Sequence, residues 1–475
     1  MIPAAGSRAA TPASGPYQTT GFKVGEVTDT SAIVWTRLTR VPLPNPFPPQ
    51  APVPKQKEGA GRKGKAAPGV PDLPAEQLPE SVPGTAGEVR VGHRLAGQGD
   101  WQFSAWQAVD AQRDFTRQIP LSGLQPQARY ELRVESRGAG GSPAGQCLEG
   151  AFRTAPAADQ PARVLFAVST CQSHYTRDCP EGYKIYGQML KLQPDFFVHT
   201  GDIVYYDYPA TPQDWALNID LARRLWWRTY SLPSVVAFHR QTSSYFQKDD
   251  HDTLQDDCFP TMTNSKMGQF TFAQGQAVFR EQVPMGELTY RTRRWGRDLQ
   301  IWMVEGRDFR SPNTDPDGPD KSIWGPTQKA WFKQTVRASD ATFRVLLSPT
   351  PLVGPDRAKK RDNHANTCFA HEGNELRQFI AAQKNMVVLN GDRHWQYHSI
   401  DPQTGLHEYS CGSVSDKHAG GWPPNGFVPE YHRYLRVAGG FLTGTVERID
   451  GKPSLTLRFY DVDGQVRFED RIAGE

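Results

Sequence analysis

The chain has 475 residues, of which 37% are hydrophobic and 22% charged, and its 54 basic and 51 acidic residues leave a formal net charge of +3. This near balance excludes a strongly basic chain, and with it the simplest electrostatic basis for binding nucleic acid or an anionic membrane. No apolar run approaches the ~20 residues needed to span a bilayer, so we expect no transmembrane segment. The length predicts roughly two or three domains, and we expect two.

The six cysteines are scattered along the chain and form no C-x-x-C pair. This pattern indicates neither a zinc knuckle nor a dense disulfide framework, and it leaves one or two disulfides open. The N-terminal residues MIPAAGSR lack the charged and apolar regions of a signal peptide. A cytoplasmic protein and the mature form of an exported protein are both compatible with this N-terminus.

From Tyr17 to about Thr154 the sequence consists of short segments in which polar and apolar residues alternate, namely Ala32–Arg37, Glu88–Val91, Tyr130–Glu135 and Leu148–Arg153. Alternation with a period of two predicts antiparallel strands with one buried face, and we predict a β-sandwich domain over residues 16–155. The spacing Leu124-x-Pro126-x-x-x-Tyr130 resembles the tyrosine corner of fibronectin-type and immunoglobulin-like sandwiches, in which the Tyr hydroxyl hydrogen-bonds to upstream backbone.

Residues 41–85 interrupt this domain with a segment rich in Pro, Ala, Gly, Lys and Glu. Such a composition buries too little apolar surface to offset its ordering entropy, so we predict a long exposed loop. Within it, Gly59–Ala66 nearly matches a phosphate-binding Walker loop, but it lacks the Ser or Thr that would hold magnesium, and no strand precedes it. We interpret this basic run as a solvated loop tip.

Ala155–Pro161 is rich in Pro and small residues and is interpreted as the linker to a second domain at residues 160–475. There, nearly continuous apolar runs alternate with helix-like stretches at Tyr183–Leu192 and Gln328–Ala338. The apolar runs are Val164–Val168, Phe196–Val198, Leu299–Val304, Phe343–Leu347 and Met386–Leu389. Buried strands that alternate with helices predict an α/β domain.

Residue types that bind metals follow three of these runs directly. They are Ser169–Gln172 after the first run, Gly201, Asp202 and Tyr205 after the second, and Asn390–His394 after the last. A further segment, Lys248–Asp252, is dense in Asp and His, and Asp256 and Asp257 follow it. Because open α/β sheets bind ligands at the carboxyl ends of their strands, the sequence predicts one metal site at this edge.

The series Ser169-Thr-Cys171-Gln172, His199-Thr-Gly201-Asp202-x-x-Tyr205, Asp249-Asp250-His251-Asp252 and Gly391-Asp392-x-His394 resembles, in order, the motifs of the alkaline phosphatase D (PhoD-like) family of metallophosphatases. Apart from the Pro-rich insert, the resemblance covers nearly the whole chain. It implies the α/β sandwich of calcineurin-like metallophosphoesterases, preceded by a fibronectin-type or immunoglobulin-like β-sandwich domain.

The resemblance also implies a site that holds Fe³⁺ together with one or two Ca²⁺ ions. Carried over residue by residue, it assigns Cys171, Asp202, Tyr205 and His394 to iron, and it assigns calcium to Asp202 as a bridge, to Asp392 and to Asp250. His251 stands where related enzymes keep a proton donor.

The third motif departs from the family pattern. Lys248 precedes it where family members tend to have Trp, and Asp256-Asp257-Cys258 follow it in place of Asn residues. Two alternatives for calcium binding therefore stay open: Asp256 or Asp257 replaces Asp250 as a ligand, or adds to it. The identity of the second metal also stays open, and other divalent ions are alternatives to calcium.

These residue types suit the implied chemistry. Thiolate and phenolate ligands favour a ferric ion, whereas carboxylates favour calcium. Two metal ions can hold a phosphoryl group and activate a water as hydroxide for in-line attack. A protein nucleophile is then unnecessary, and the sequence has no G-x-S-x-G elbow. His251 would protonate the departing oxygen.

Two roles are open for Arg307 and Arg310. They could make bidentate contacts to phosphate oxygens, or they could form buried ion pairs that hold a loop in place. Arg307 is retained as a candidate catalytic residue. Four further candidates are His199 and Asp207, expected behind the metal ligands, and His398 and His418, interpreted as surface residues.

The leading hypothesis is a PhoD-like alkaline phosphatase and phosphodiesterase that acts on small-molecule phosphate mono- and diesters. Phosphotriesterase, phospholipase D-like or phosphonate-directed activity at the same site is one alternative. Another is a catalytically inactive protein that binds glycans or a surface partner through the β-sandwich. We expect a monomer with no specificity for nucleic acid. The resemblance implies a periplasmic or secreted protein exported by the twin-arginine route, although no twin-arginine segment is recognised.

Overall fold

The structure is a computed structural model, and it describes residues 15–46, 71–141, 143–207, 215–263 and 265–474. The Walker-like segment Gly59–Ala66 lies outside these residues. The described strands are β1 Phe22–Gly25, β2 Ser31–Arg37, β3 Glu88–Leu95, β4 Gln102–Phe103, β5 Gln107–Ala108, β6 Thr116–Ser122, β7 Arg129–Arg137, β8 Ala144–Arg153, β9 Val164–Ser169, β10 Phe196–His199, β11 Ser243–Phe246, β12 Arg291–Trp295, β13 Leu299–Met303, β14 Phe343–Ser348, β15 Met386–Asn390, β16 Gln396–Ile400, β17 His407–Cys411, β18 His432–Arg436, β19 Gly440–Ile449, β20 Lys452–Asp461 and β21 Val466–Ala473. The described α-helices are α1 Lys184–Leu192, α2 Ile219–Tyr230, α3 Pro233–His239, α4 Phe272–Gln282, α5 Gly325–Ala338 and α6 Ala370–Ala381.

These strands form two large sheets and a smaller one. The nine-stranded sheet has the order β21-β20-β19-β9-β10-β11-β1-β2-β6, and the seven-stranded sheet has the order β12-β13-β14-β15-β17-β16-β18. The five-stranded sheet has the order β4-β3-β7-β8, with β5 paired to β3.

Parallel strands form the centre of both large sheets. β9, β10 and β11 run parallel, with Phe196 of β10 opposite Phe166 and Ser243, and β13, β14, β15 and β17 are also parallel neighbours. Every residue of β9, β10 and β15 is buried, as expected for parallel strands covered on both faces. The five predicted apolar runs lie at β9, β10, β13, β14 and β15, and the predicted helices lie at α1 and α5, so the α/β prediction is confirmed.

Alternate residues of these strands pack on opposite faces of each sheet. Val168, Val198 and Leu389 belong to the apolar core between the two sheets. Ala167 and Phe197 belong to a second core, which contains residues of α1 to α4. Helices α5 and α6 contribute to a third core with β13 to β15. The layers are therefore helix, sheet, sheet and helix.

The N-terminal region forms a smaller sandwich whose first sheet continues the nine-stranded sheet. β1 pairs in parallel with β11, and Gly25 lies opposite Ser244. The Tyr130 hydroxyl accepts a hydrogen bond from the backbone N–H of Gln125 at 2.8 Å, which is the contact that the tyrosine-corner spacing predicts. Since the sheet is continuous, no gap in strand pairing marks the boundary near residues 155–160, and the division into two domains stays a prediction.

The described C-terminal end of the Pro-rich insert packs against the protein from Ala75 onward, so the prediction of an exposed loop is wrong there, whereas residues 72–74 are exposed as expected. Ala75 and Leu78 are buried together with Leu221 of α2. A carboxylate oxygen of Glu80 lies 2.9 Å from Arg228 of α2. Tertiary contacts with α2 thus order a segment whose own composition disfavours order.

Neither a disulfide nor a membrane-spanning helix occurs in the described part of the chain. All six cysteines are free thiols. None of the described helices combines the length and the apolarity that crossing a membrane requires.

A buried ion pair links the N-terminal sandwich to two helices of the following region. Arg37 Nη2 of β2 lies 2.8 Å from Asp114 Oδ1, and the two side chains are 0% and 3% exposed. The other carboxylate oxygen of Asp114 accepts hydrogen bonds from Trp227 of α2 at 2.6 Å and from Gln282 of α4 at 2.7 Å. One carboxylate therefore holds a strand and two helices together.

Replacing Arg37 with Met should lower the free energy of unfolding by about 3–5 kcal/mol, because Asp114 would stay buried without its charged partner. The measurement is urea-induced unfolding. Arg163→Met is the matched control, since Arg163 and Glu447 form a 3.5 Å pair with side chains 58% and 34% exposed. The control should change stability by less than about 1 kcal/mol. Equal losses in both variants would contradict the linking role of Arg37.

Candidate metal centre

Three candidate ligands occupy strained backbone positions directly after parallel strands. Cys171 follows β9, Asp202 follows β10 and Asp392 follows β15, and their φ angles are 55°, 57° and 63°. This left-handed region costs about 1–2 kcal/mol for a residue with a Cβ, and such strain concentrates at functional sites. Its recurrence at three strand ends indicates that the backbone is bent there to direct side chains.

Gly201 allows the turn after β10 to approach the segment that follows β11. Its φ angle is 112°, and a Cβ at this position would lie 2.7 Å from the Cβ of Asp249. Any larger residue would therefore push the two segments apart. Glycine here brings Asp202 close to the Asp-Asp-His-Asp motif.

The first ligand group contains Cys171, Asp202 and His394, whose ligand atoms all lie within 4.8 Å of one another. Cys171 Sγ is 3.5 Å and the Tyr205 hydroxyl is 3.2 Å from the same oxygen, Asp202 Oδ2. The structure thus brings together the four residues that the resemblance assigned to iron. They come from the ends of β9, β10 and β15.

Asp202 also belongs to a second ligand group, with Asp249 and Asp392, again within 4.8 Å. Asp249 was not among the predicted ligands. Its position at the start of the Asp-Asp-His-Asp motif was the available signal, but the sequence does not tell which of two adjacent Asp residues faces the site.

Asp250 lies in two further groups, one with Asp202 and His251 and the other with Asp256 and Asp257. The alternative ligands considered from the sequence are therefore neighbours in space. Lys360 Nζ lies 2.9 Å from Asp257 and 3.8 Å from Asp256. A lysine from the segment after β14 thus neutralises part of this acidic cluster.

The donor atoms of the candidate ligands and their burial are those expected of a site that binds a cation. Burial raises the pKa of Asp202, Cys171 and Tyr205 well above their usual values, and the neighbouring acidic groups add to the effect on the thiol and the phenol. Burial also raises the pKa of Asp392 to about 6. Asp202 Oδ1 is buried and has no hydrogen-bond partner among the described residues. A bound cation would stabilise the anionic forms of these groups and occupy this orphaned oxygen.

His394 has the protonation state that a metal ligand needs. Burial, together with the nearby His418, lowers its pKa well below the usual value. The imidazole is therefore neutral at ordinary pH and has a lone pair to donate.

His251 is held at the edge of the carboxylate cluster. Its Nδ1 lies 2.5 Å from Asp207 Oδ1, its Nε2 lies 3.8 Å from Asp256 Oδ1, and its ring centroid is 4.4 Å from that of Tyr205. Burial alone would lower the pKa of His251, but Asp207, Asp250 and Asp202 outweigh burial and raise it well above the usual value. Asp207 thus lies behind His251 and fixes its ring.

The two arginines that follow β13 are both buried. Arg307 Nε lies 2.5 Å from Asp249 Oδ1, and its Nη2 lies 3.6 Å from Asp250 Oδ2. Arg310 Nε lies 3.1 Å from Asn313 Oδ1. These contacts match the ion-pair interpretation for Arg307, while its contact with phosphate stays a prediction.

His199 and His398 both lie in the interior of the protein. His199 is buried beside Phe197, at 6.1 Å between ring centroids, and burial lowers its pKa to about 3. His398 is 2% exposed, so its interpretation as a surface residue is wrong.

His418, which was also interpreted as a surface residue, is partly exposed, but it lies beside the candidate ligands. Its ring centroid lies 4.1 Å from that of His394 and 5.2 Å from that of Tyr205. Its Nδ1 is 3.1 Å from the carbonyl oxygen of Cys171, and since a carbonyl only accepts, Nδ1 carries the proton. Burial lowers the pKa of His418 to about 4, so the ring is neutral. No sequence signal marks this residue, because it reaches the site from the loop after β17.

Comparisons with known proteins agree with this geometry. The structure of PhoD superposes with a TM-score of 0.73 at 15% identity, covering 98% of this chain and 92% of that chain. The purple acid phosphatase PPD1 of yellow lupin (Lupinus luteus) superposes with a TM-score of 0.64 at 12% identity, covering 95% and 74%. At these identities the matches establish the fold. No curated protein matches the sequence.

Fold and family together define the class of the protein, which is a phosphoric ester hydrolase with a metallophosphoesterase fold. The family model described as PhoD-like phosphatase matches residues 166–436. The chain therefore belongs to the PhoD-like phosphatase family.

Replacing His418 with Ala should lower metal affinity or activity by roughly 10–100-fold, the usual cost of removing a group that positions a ligand. The physical reason is the loss of the hydrogen bond to Cys171 and of the ring contacts with Tyr205 and His394. Metal content by elemental analysis and ester hydrolysis are the measurements. His371→Ala, on α6 and outside the ligand groups, is the control. Unchanged metal affinity and activity in His418→Ala would contradict this role.

Proposed function

We propose that the protein hydrolyses phosphate monoesters and diesters at a two-metal centre. Fe³⁺ would be held by Cys171, Asp202, Tyr205 and His394, and Ca²⁺ by Asp202 and Asp392 together with Asp249 or Asp250. The observation that carries the proposal is the position of Asp202, which shares ligand groups with Cys171 and His394 on one side and with Asp249 and Asp392 on the other. A carboxylate shared in this way suits a bridge between two cations.

The two halves of the centre differ in donor type, and this difference supports two different metals. The thiol of Cys171 and the phenol of Tyr205 lie at one oxygen of Asp202, and the imidazole of His394 belongs to the same ligand group. These donors suit a ferric ion. The other half has carboxylate oxygens alone, which suit a hard cation such as calcium. When bound, such a pair neutralises phosphoryl oxygens and lowers the pKa of a water for in-line attack.

His251 is the proposed proton donor for the departing oxygen. Asp207 binds Nδ1, and Nε2 is the nitrogen on the side of the acidic cluster, so Nε2 would give the proton to the substrate. The raised pKa favours the protonated ring at neutral pH. Asp207 would keep the ring oriented through repeated cycles.

Lys360 and Arg357 are further candidates for contact with substrate. Both come from the segment after β14, and Lys360 lies at the acidic cluster of Asp256 and Asp257. The guanidinium of Arg357 lies 5.8 Å from the ring of Trp395, which adjoins His394 in sequence. Two cations at one margin of the centre would attract an anionic ester before it reaches the metals.

The proposed substrates are small-molecule phosphate esters, and the proposed location is the periplasm or the cell exterior. The resemblance to the PhoD-like family supports both statements. A monomer is proposed as the acting form. The alternative of an inactive glycan-binding protein is set aside because the chain belongs to a family of phosphatases.

Asp202→Ala should remove metal from the centre and abolish hydrolysis of phosphate esters, with a larger loss than the roughly 10–100-fold that follows when a group holding a ligand in position is removed. Metal content and nitrophenol release from model esters are the measurements. Asp463→Ala is the control, because the Asp463 side chain is 62% exposed and pairs with Lys184. Unchanged turnover in Asp202→Ala would end the proposal.

Hydrolysis rates of the wild type on mono-, di- and triesters would separate phosphatase and phosphodiesterase activity from phosphotriesterase activity.

His251→Asn should slow hydrolysis of an alkyl phosphate by about 10²–10⁴-fold, the range for general acid catalysis. It should slow hydrolysis of a nitrophenyl phosphate much less, because nitrophenolate leaves without a proton. Metal content should stay unchanged. A loss of equal size for both esters would show that His251 serves another role. Asp207→Asn should show the same selectivity with a smaller loss, because it weakens the orientation of the ring and lowers its pKa but leaves the proton donor in place.

A further inference from the structure

A second cluster of metal-binding side chains lies away from the centre described above. His398 of β16, His407 of β17 and Asp470 of β21 bring one ligand atom each within 4.8 Å of one another. His398 Nε2 is 3.1 Å from His407 Nδ1 and 3.9 Å from Asp470 Oδ2. Two imidazole nitrogens within hydrogen-bond distance of each other and a carboxylate oxygen thus lie close enough to share one ion.

We propose that His398, His407 and Asp470 form a separate site for a divalent transition metal, with zinc as the best fit. A tetrahedral zinc ion with bonds of ~2.0–2.2 Å holds its ligand atoms about 3.3–3.6 Å apart. The observed separations of 3.1 and 3.9 Å bracket this range. Two histidines and one carboxylate are a ligand set that zinc uses, with water in the fourth position.

The side chains around the cluster support the orientation of the ligands. The Tyr409 ring stacks on His398 with centroids 4.2 Å apart, and its hydroxyl donates a hydrogen bond to Asp470 Oδ2 at 2.5 Å. A ligating carboxylate is usually held by such a bond. Tyr409 is fully buried, so it fixes both ligands from within the core.

Protonation and access also favour metal binding. Burial lowers the pKa of His398 to about 4 and also lowers the pKa of His407, with Arg433 adding to both shifts and Asp470 opposing them. Both rings are therefore neutral at ordinary pH and can donate lone pairs. The Asp470 side chain is 26% exposed, so an ion can enter from solvent.

Position in the fold indicates a structural role. His398 and His407 belong to the seven-stranded sheet, whereas Asp470 belongs to β21, the last strand of the nine-stranded sheet. A metal at this point would tie the two sheets together at their margin. His407 begins β17, and the opposite end of that five-residue strand, roughly 13 Å along the chain at 3.3 Å per residue, leads into the loop that carries His418.

The test compares the wild type with His407→Ala and Asp470→Asn, each purified without chelators, saturated with Zn²⁺ and freed of excess ion. Elemental analysis should find one zinc more per chain in the wild type than in either variant. Replacing Zn²⁺ with Co²⁺ should give more of the intense visible absorption of tetrahedral cobalt in the wild type than in either variant. Zn²⁺ should also raise the melting temperature of the wild type more than that of the variants.

The same comparison in the Asp202→Ala background separates this site from the catalytic centre. The zinc that depends on His407 should persist there, whatever the outcome for ester hydrolysis. His371→Ala should retain the full zinc content as a control for the loss of a histidine. If His407→Ala does not fold, Asp470→Asn carries the test, since its partly exposed side chain keeps nearly the same shape. Equal zinc content, cobalt absorption and thermal shift in the wild type and the folded variants would overturn the proposal.

Discussion

Burial of the Asp202 carboxylate among other acidic groups is the constraint on which the architecture of the centre depends. A carboxylate, a thiol and a phenol that share a dry position repel one another as anions, so their charged forms need a cation between them. A metal ion between these groups would offset the cost of their desolvation. Rigid surroundings would keep the groups close to one another before the ion binds.

The two sheets supply that rigidity. β9 and β10 deliver Cys171 and Asp202 from one sheet, and β15 delivers Asp392 and His394 from the other. The core between the sheets fixes their separation, and left-handed backbone at the strand ends turns the side chains inward. The strain at these positions is local, whereas the packing that maintains it extends over both sheets. Catalytic geometry is therefore a property of the whole sandwich.

The strands that end at the centre could be predicted from sequence because their signals are local. Continuous apolar runs mark β9, β10 and β15, and the ligand types follow each run directly. His418 gave no such signal, since its position against Cys171 depends on how the loop after β17 folds back. Asp249 and Asp250 are adjacent, and only the backbone turn decides which of them meets Asp392. Composition did not predict the packing of the insert from Ala75 onward, because the contacts of Leu78 and Glu80 with α2 connect residues far apart along the chain.

The parallel pairing of β1 with β11 determines what the N-terminal region does for the rest of the protein. A chain that began at the linker would leave β11 at the border of its sheet, with a row of backbone donors and acceptors that no strand covers. Open borders of this kind recruit strands from other molecules and promote aggregation. The N-terminal sandwich thus acts as an intramolecular cap that covers this border of the hydrolase region.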